Sequence, residues 1–224
     1  MTRHVMWQAV LAVLGIVAVF FLLLQLGEEP ETVEVPAAGG TFVEAVVGYS
    51  ETINPILAPQ MVQGNPADQD LSALVFDGLT QLDPSGTVVP ALATEWGISD
   101  DGRVYDFHLR RDVIWHDGAP LTATDVAFTI QALQDPGFAG DANLAELWRR
   151  VLVEQVDAHT VRFTLEEPFP SFLFYTTIGV MPAHLLSDVP AAQLPTHRFS
   201  KENPVGTGPV MVEAIPVSYT HLRA

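Results

Sequence analysis

The feature that most constrains this 224-residue chain is a pair of short segments in which apolar and polar residues strictly alternate. From Val104 to Leu109, Tyr105, Phe107 and Leu109 fall on one side and Asp106 and His108 on the other. Val161, Phe163 and Leu165 alternate with Thr160, Arg162 and Thr164 in the same way. A period of two places every second side chain on one face, so both segments are expected as half-buried strands of one sheet. Between them, Thr122 followed three residues later by Asp125 has the form of a capping box. Val126, Ile130 and Leu133 then give a helix its apolar face, and Asp135-Pro136-Gly137 ends it. His116-Asp117-Gly118 falls in the connection between a strand ending near Trp115 and this helix, where Asp and Gly are the residues a tight turn needs.

The rest of the chain reads in the same terms. "DPSG" at Asp83 to Gly86 has the residues of a type I turn and predicts a hairpin between "LTQL" and "TVVP", and Ser99 to Gly102 is a second turn. A third turn is expected at Asp157 to His159. Leu71, Leu74, Val75 and Leu79 share one helical face. Thr41 to Tyr49 has strand composition and runs into a loop at Asn54-Pro55 and Pro59. Glu167 to Tyr175 and Val180 to Leu186 read as core, with Pro182 at a first helical position. Trp96, Trp115 and Trp148 are also expected in the core.

Composition narrows the function. With 27 acidic and 10 basic residues the chain carries a net charge of -17, which repels phosphate backbones, so no nucleic-acid partner is expected. The absence of cysteine excludes disulfides, thiolate metal sites and cysteine nucleophiles. Val5 to Leu26 is apolar except for Gln8 and Gln25, and at about 1.5 Å per residue a helix of that length crosses a hydrocarbon core of about 30 Å. Arg3 and His4 precede it and Glu28, Glu29, Glu31 and Glu34 follow, which places the N-terminus in the cytoplasm. The expectation is a single-pass anchor over residues 1–27 in the cytoplasmic membrane, with the main domain outside, in the periplasm or at the cell surface. A cleaved signal peptide is the alternative, although small residues are lacking just after Leu26. Residues 28–40 read as an acidic, extended linker.

No reactive constellation stands out. The seven histidines share no short ligand spacing, so no metal site is expected, and His116 reads as a ring packed or hydrogen-bonded in its turn. "GTGP" at Gly206 to Pro209 has no following lysine and reads as a backbone turn rather than a phosphate loop. Ser50, Ser171 and Ser218 lack a nucleophile elbow. No catalytic residue and no cofactor are expected, and the chain is read as a non-enzyme.

The stretch "PALATEWGISDDGRVYDFHLRRDVIWHDGAPLTATDVAFTI" together with "INP", "FDGL", "VRFTLEEPFPSFL" and "PVGTGP", in that order, resembles the family 5 extracellular solute-binding proteins, receptors of ABC importers for oligopeptides, dipeptides and nickel. The resemblance runs from about Thr41 to Pro209. It implies an α/β, periplasmic-binding-protein-like (type 2) first lobe with an inserted subdomain, preceded by one transmembrane helix. The implied domain spans residues 41–216, with the insertion at about 70–187 and the first lobe on either side. The family's second lobe is not expected within this sequence, which reads as a fragment, and residues 217–224 do not continue the family's pattern. The implied function is capture of a peptide ligand by lobe closure and its delivery to ABC permease subunits, with the receptor a monomer tied to the membrane through its N-terminal helix. Because the start of the first lobe borders the cleft in this family, Tyr49, Ser50, Glu51, Thr52 and Asn54 are the expected ligand-binding residues. Alternatives are a nickel or haem receptor of the same fold and a membrane-anchored sensor without transport.

Overall fold

The computed structural model describes residues 49–214, the strand His221–Arg223, and the isolated helical positions Trp7, Val13, Leu14, Ile16 and Val17. The chain divides into two compact units, Met1–Glu44 and Ala45–Ala224. Apart from those five positions, the expected anchor over Val5 to Leu26 lies outside the described residues, as do residues 28–40 and the expected strand from Thr41. No described helix is long and apolar enough to cross a membrane.

In the larger unit, the two alternating segments form the strands β4 (Val104–Leu109) and β6 (Thr160–Leu165). They pair antiparallel, with Asp106 opposite Arg162 and Phe107 opposite Val161. β3 (Ala93–Ile98) and β5 (Val151–Asp157) extend the sheet to the order β3-β4-β6-β5. Tyr105, Phe107, Leu109, Val161, Phe163 and Leu165 are all buried, as the alternation requires. They pack with Trp148 and Phe172, whose rings lie 5.9 and 5.7 Å from that of Phe163. Trp115 and Trp148 are fully buried, while Trp96 is partly buried against the same core.

The capped helix forms as expected over Ala123–Gln134, with both halves of the Thr122–Asp125 box present. Val126, Ile130 and Leu133 face the core. Asp125 is buried and reaches further than its own cap. Its second carboxylate oxygen accepts the Ala183 amide at 2.9 Å, and Thr129 Oγ1 accepts that of Met181 at 2.8 Å. The helix thereby fixes the 181–183 connection, which leads into a short helix at Ala183–Leu186 that starts one residue later than expected, with Pro182 as its N-cap rather than its first helical residue.

"DPSG" makes the expected hairpin between β1 (Thr80–Leu82) and β2 (Val88–Pro90), and Asp83 Oδ1 takes the amides of Ser85 and Thr87 at 2.8 and 2.9 Å. Gly86, Gly102 and Gly118 close the turns at Asp83, Ser99 and His116 with φ of 81°, 68° and 89°. That is the left-handed region, where glycine carries no Cβ penalty. The helix expected around Leu71 runs over Pro66–Val75 instead. It starts five residues earlier because Asn65 caps it and Pro66 fills its first turn, and Leu79 lies beyond its end. One hydrophobic core runs from Ile53 to Phe199.

Candidate ligand-binding groove

The segment Tyr49–Asn54 is positioned by polar side chains from distant parts of the chain. Asp68, buried in the first turn of the 66–75 helix, takes the amides of Glu51 and Thr52 on one oxygen at 2.7 and 3.2 Å. Asn65 donates to the Tyr49 carbonyl at 2.7 Å while its own oxygen caps the helix. On the other side Ser200 accepts the Ile53 amide at 2.7 Å through its carbonyl, and the Asn54 amide nitrogen at 2.9 Å through its hydroxyl.

The five residues expected at the ligand divide in two. Tyr49 is 73% exposed and donates its hydroxyl to Glu51 at 3.0 Å. That hydrogen bond and the carboxylate's charge hold the Tyr49 phenol above its usual pKa range. Ser50 and Thr52 are half-buried and Glu51 is exposed. Asn54 has no exposed surface. Its oxygen accepts the amides of Ile56 and Leu57 at 3.1 and 3.3 Å while its nitrogen holds Ser200, so its amide is occupied within the protein.

Immediately after this segment lies a groove of about 370 Å³. The turn Pro55–Met61 forms one wall, Gln69, Ser72 and Phe76 of the helix and its C-cap another, and Thr177–Gly179 a third. None of the five expected residues lines it. Gln69 braces the first wall by donating to the carbonyls of Pro59 and Val62 at 3.0 and 2.6 Å. The base is a bridge between Gly78 and Gly179. A Cβ on Gly179 would come within 2.7 Å of Pro55 and Phe76, so the close approach itself requires glycine. Asp77, beside this bridge, is drawn upward in pKa by burial, against the Thr207 hydroxyl at 3.2 Å and the charge of Arg110. The Asn54-Pro55 turn was visible in the sequence, but no periodicity or motif distinguishes Gln60, Gln69 or Thr177.

His116 sits in the expected turn, where the Gly118 amide bonds the Trp115 carbonyl at 2.8 Å. Its ring makes two further bonds to the "GTGP" segment. The Gly206 amide donates to Nδ1 at 3.2 Å and Nε2 lies 2.9 Å from the Gly208 carbonyl. Asp117 pairs with His184 at 2.7 Å. Among the described residues no three His, Asp or Glu side chains gather as a metal site.

The family model described as "Bacterial extracellular solute-binding proteins, family 5 Middle" matches residues 87–224. The probable deoxycholate-binding periplasmic protein YgiS of Escherichia coli (strain K12) is 34% identical over 174 residues, covering 69% of this chain and 32% of that protein. Among solved structures, NikZ from Campylobacter jejuni in complex with Ni(L-His) is 34% identical with a TM-score of 0.69, covering 79% of this chain and 34% of its own. The oligopeptide-binding protein AppA from Bacillus subtilis, in complex with a nonapeptide, is 26% identical with a TM-score of 0.71, covering 80% and 35%. This chain thus spans about a third of the length of these relatives. With the periplasmic-binding-protein-like α/β fold shared and more than half of the sequence matched, the chain belongs to the bacterial extracellular solute-binding proteins of family 5.

Proposed function

We propose that this chain is part of the substrate-binding component of an ABC-type importer that captures peptides outside the cytoplasmic membrane and delivers them to a permease. The observation that carries this reading is its likeness to AppA, an oligopeptide-binding protein solved with a nonapeptide, over 80% of the chain. An extended peptide offers one donor and one acceptor per residue, and the mixed polar and apolar groove beside Tyr49–Thr52 suits such a ligand. Tyr49, Ser50, Glu51 and Thr52 border the ligand, with the exposed Glu51 carboxylate suited to a peptide ammonium group. Asn54 acts from beneath, holding the segment in place. The net charge of -17 also steers cationic solutes toward the protein.

In this proposal, residues 41–69 and those from about 190 belong to a first lobe, with residues 70–187 inserted, and the ligand is enclosed when a facing lobe closes over it. Val5 to Leu26 anchors a monomeric receptor in the membrane, and no catalytic step is involved. Mass spectrometry of membrane-extracted protein is expected to find this segment retained, and a mature N-terminus near Gly39 or Gly40 would refute the anchor. The second reading is a nickel-chelate receptor, favoured by the likeness to NikZ. A thermal-shift screen of the complete receptor, facing lobe included, against di- to pentapeptides, Ni²⁺ with L-histidine, and deoxycholate separates these ligands. Stabilisation by peptides alone is expected, whereas stabilisation only by the nickel chelate or by deoxycholate would overturn the peptide assignment.

A further inference from the structure

The "GTGP" segment is pressed against the end of the 66–75 helix. The amides of Gly208 and Val210 donate to the carbonyls of Val75 and Leu74 at 2.9 and 3.2 Å. Gly206 and Gly208 are buried so closely that a Cβ on either would collide with the Val75 carbonyl group. The remaining ties come from His116 and Asp77. The His116 amide donates to the Gly206 carbonyl at 2.9 Å, the Gly206 amide donates to Nδ1 at 3.2 Å, and Thr207 donates to Asp77 at 3.2 Å. Because Nδ1 accepts a hydrogen bond, the ring proton must reside on Nε2, which donates to the Gly208 carbonyl at 2.9 Å. The Gly206 bond therefore requires the neutral imidazole, whereas the Nε2 bond to Gly208 is kept by the protonated ring.

We propose that His116 is a proton-sensitive latch whose neutral ring holds the Gly206 amide and whose protonated ring releases that amide while keeping its bond to the Gly208 carbonyl. A proton on Nδ1 would place two N–H groups head to head, turning the Gly206 contact from attraction to repulsion. The charged groups around the latch act in opposite senses. Asp77, bonded to Thr207 in the same turn, would attract an imidazolium when ionised, whereas the cationic Arg110, the residue after β4, would oppose one. Arg110 is itself paired with Asp112 at 3.0 Å. Asp117, next in the turn, is engaged by His184 on the 183–186 helix. Asp77 also borders the groove, so release would loosen one of its edges. The latch is independent of which solute the protein binds.

Amide exchange and ring ¹⁵N shifts of the full ¹⁵N-labelled chain, measured between about pH 8 and pH 5, test this. As the His116 ring gains its proton, protection at Gly206 is expected to fall by about tenfold or more, while that of Gly208, whose amide is bonded to Val75, and of Phe107 and Phe163 in the sheet stays constant. In His116→Gln the Gly206 amide is expected to lose its pH dependence. The wild-type comparison of ring and amide decides the matter even if that variant folds poorly. Constant Gly206 protection while the ring titrates would overturn the latch. So would a ring that stays neutral to pH 5, or an equal loss of protection throughout the sheet.

Discussion

In the four-stranded sheet, β4 and β6 meet through a ladder of five consecutive residue pairs, backed by a buried aromatic layer. Around the groove, segments farther apart in sequence meet through isolated hydrogen bonds, several of them made by one polar side chain. Asn54 and Ser200 are 146 residues apart, and the His116 ring and Gly208 are 92 apart. A ladder shares a defect among its rungs. A lone buried side chain does not, because its removal strands donors and acceptors that have no other partner. The two regions should therefore respond differently to single substitutions.

The largest effect is expected from Gly206→Ala in the clasped region. Its Cβ would lie 2.7 Å from the Val75 carbonyl carbon, and backbone on both sides leaves little room to yield. A loss of about 3 kcal/mol in urea unfolding is expected. Asn54→Ala should follow, at about 2 kcal/mol, since it leaves the Ile56 amide without its side-chain acceptor and the Ser200 hydroxyl without its donor in a fully buried site, while Leu57 keeps the residue 54 carbonyl. Gly118→Val, at the turn leading from the sheet to the capped helix, should cost about 1 to 2 kcal/mol by differential scanning calorimetry. Space around that Cβ is open, and only the φ of 89° opposes a side chain.

The smallest effect belongs to the outer face of the sheet. Arg162 makes two hydrogen bonds to Asp106, at 2.6 and 2.7 Å, with Glu154 opposite it on β5. The side chains of Arg162 and Asp106 are 43% and 32% exposed, so Arg162→Ala should cost less than about 1 kcal/mol. The Arg162 hydrogen bond holds Asp106 below its usual pKa, although burial opposes it. The pair's contribution is therefore present above the unfolded carboxyl value of about 4 and is lost as pH falls through the lower folded value. Denaturation curves of wild type and Arg162→Ala should converge in acid. If Gly206→Ala and Asn54→Ala proved as mild as Arg162→Ala, the contrast between ladder and clasp would fail.

The same contrast governs what could be read from the sequence. β4, β6, the capped helix and the glycine turns were legible because each repeats a local rule, either a period or a cap. β5 was not, because Val151, Leu152, Val153 and Val156 put apolar residues on both faces and a register shift lies between Gln155 and Asp157. The helix Ala142–Arg149 has only Leu144, Ala145 and Trp148 in the core, too short a run to show a period. The start of the 66–75 helix did carry a signal in Asn65-Pro66. The clasps carried none, since nothing near Asn54 or His116 in the sequence names Ser200 or Gly206 as its partner. For the candidate site, the family resemblance pointed to Tyr49–Asn54, and the structure adds the groove that begins at Pro55.

The most direct test of the account is a peptide titration followed in ¹H–¹⁵N spectra of residues 41–224, with folding confirmed by circular dichroism. Because enclosure by a facing lobe supplies most of the affinity, only weak binding is expected, with di- to pentapeptides at millimolar concentration shifting the amides of Tyr49–Thr52, Gln60, Met61 and Thr177 while those of Asp106, Glu154 and Arg162 stay in place; micromolar or tighter binding would contradict the need for that lobe. Shifts confined to the outer face of the sheet, or a response to nickel with histidine and none to peptides, would contradict it.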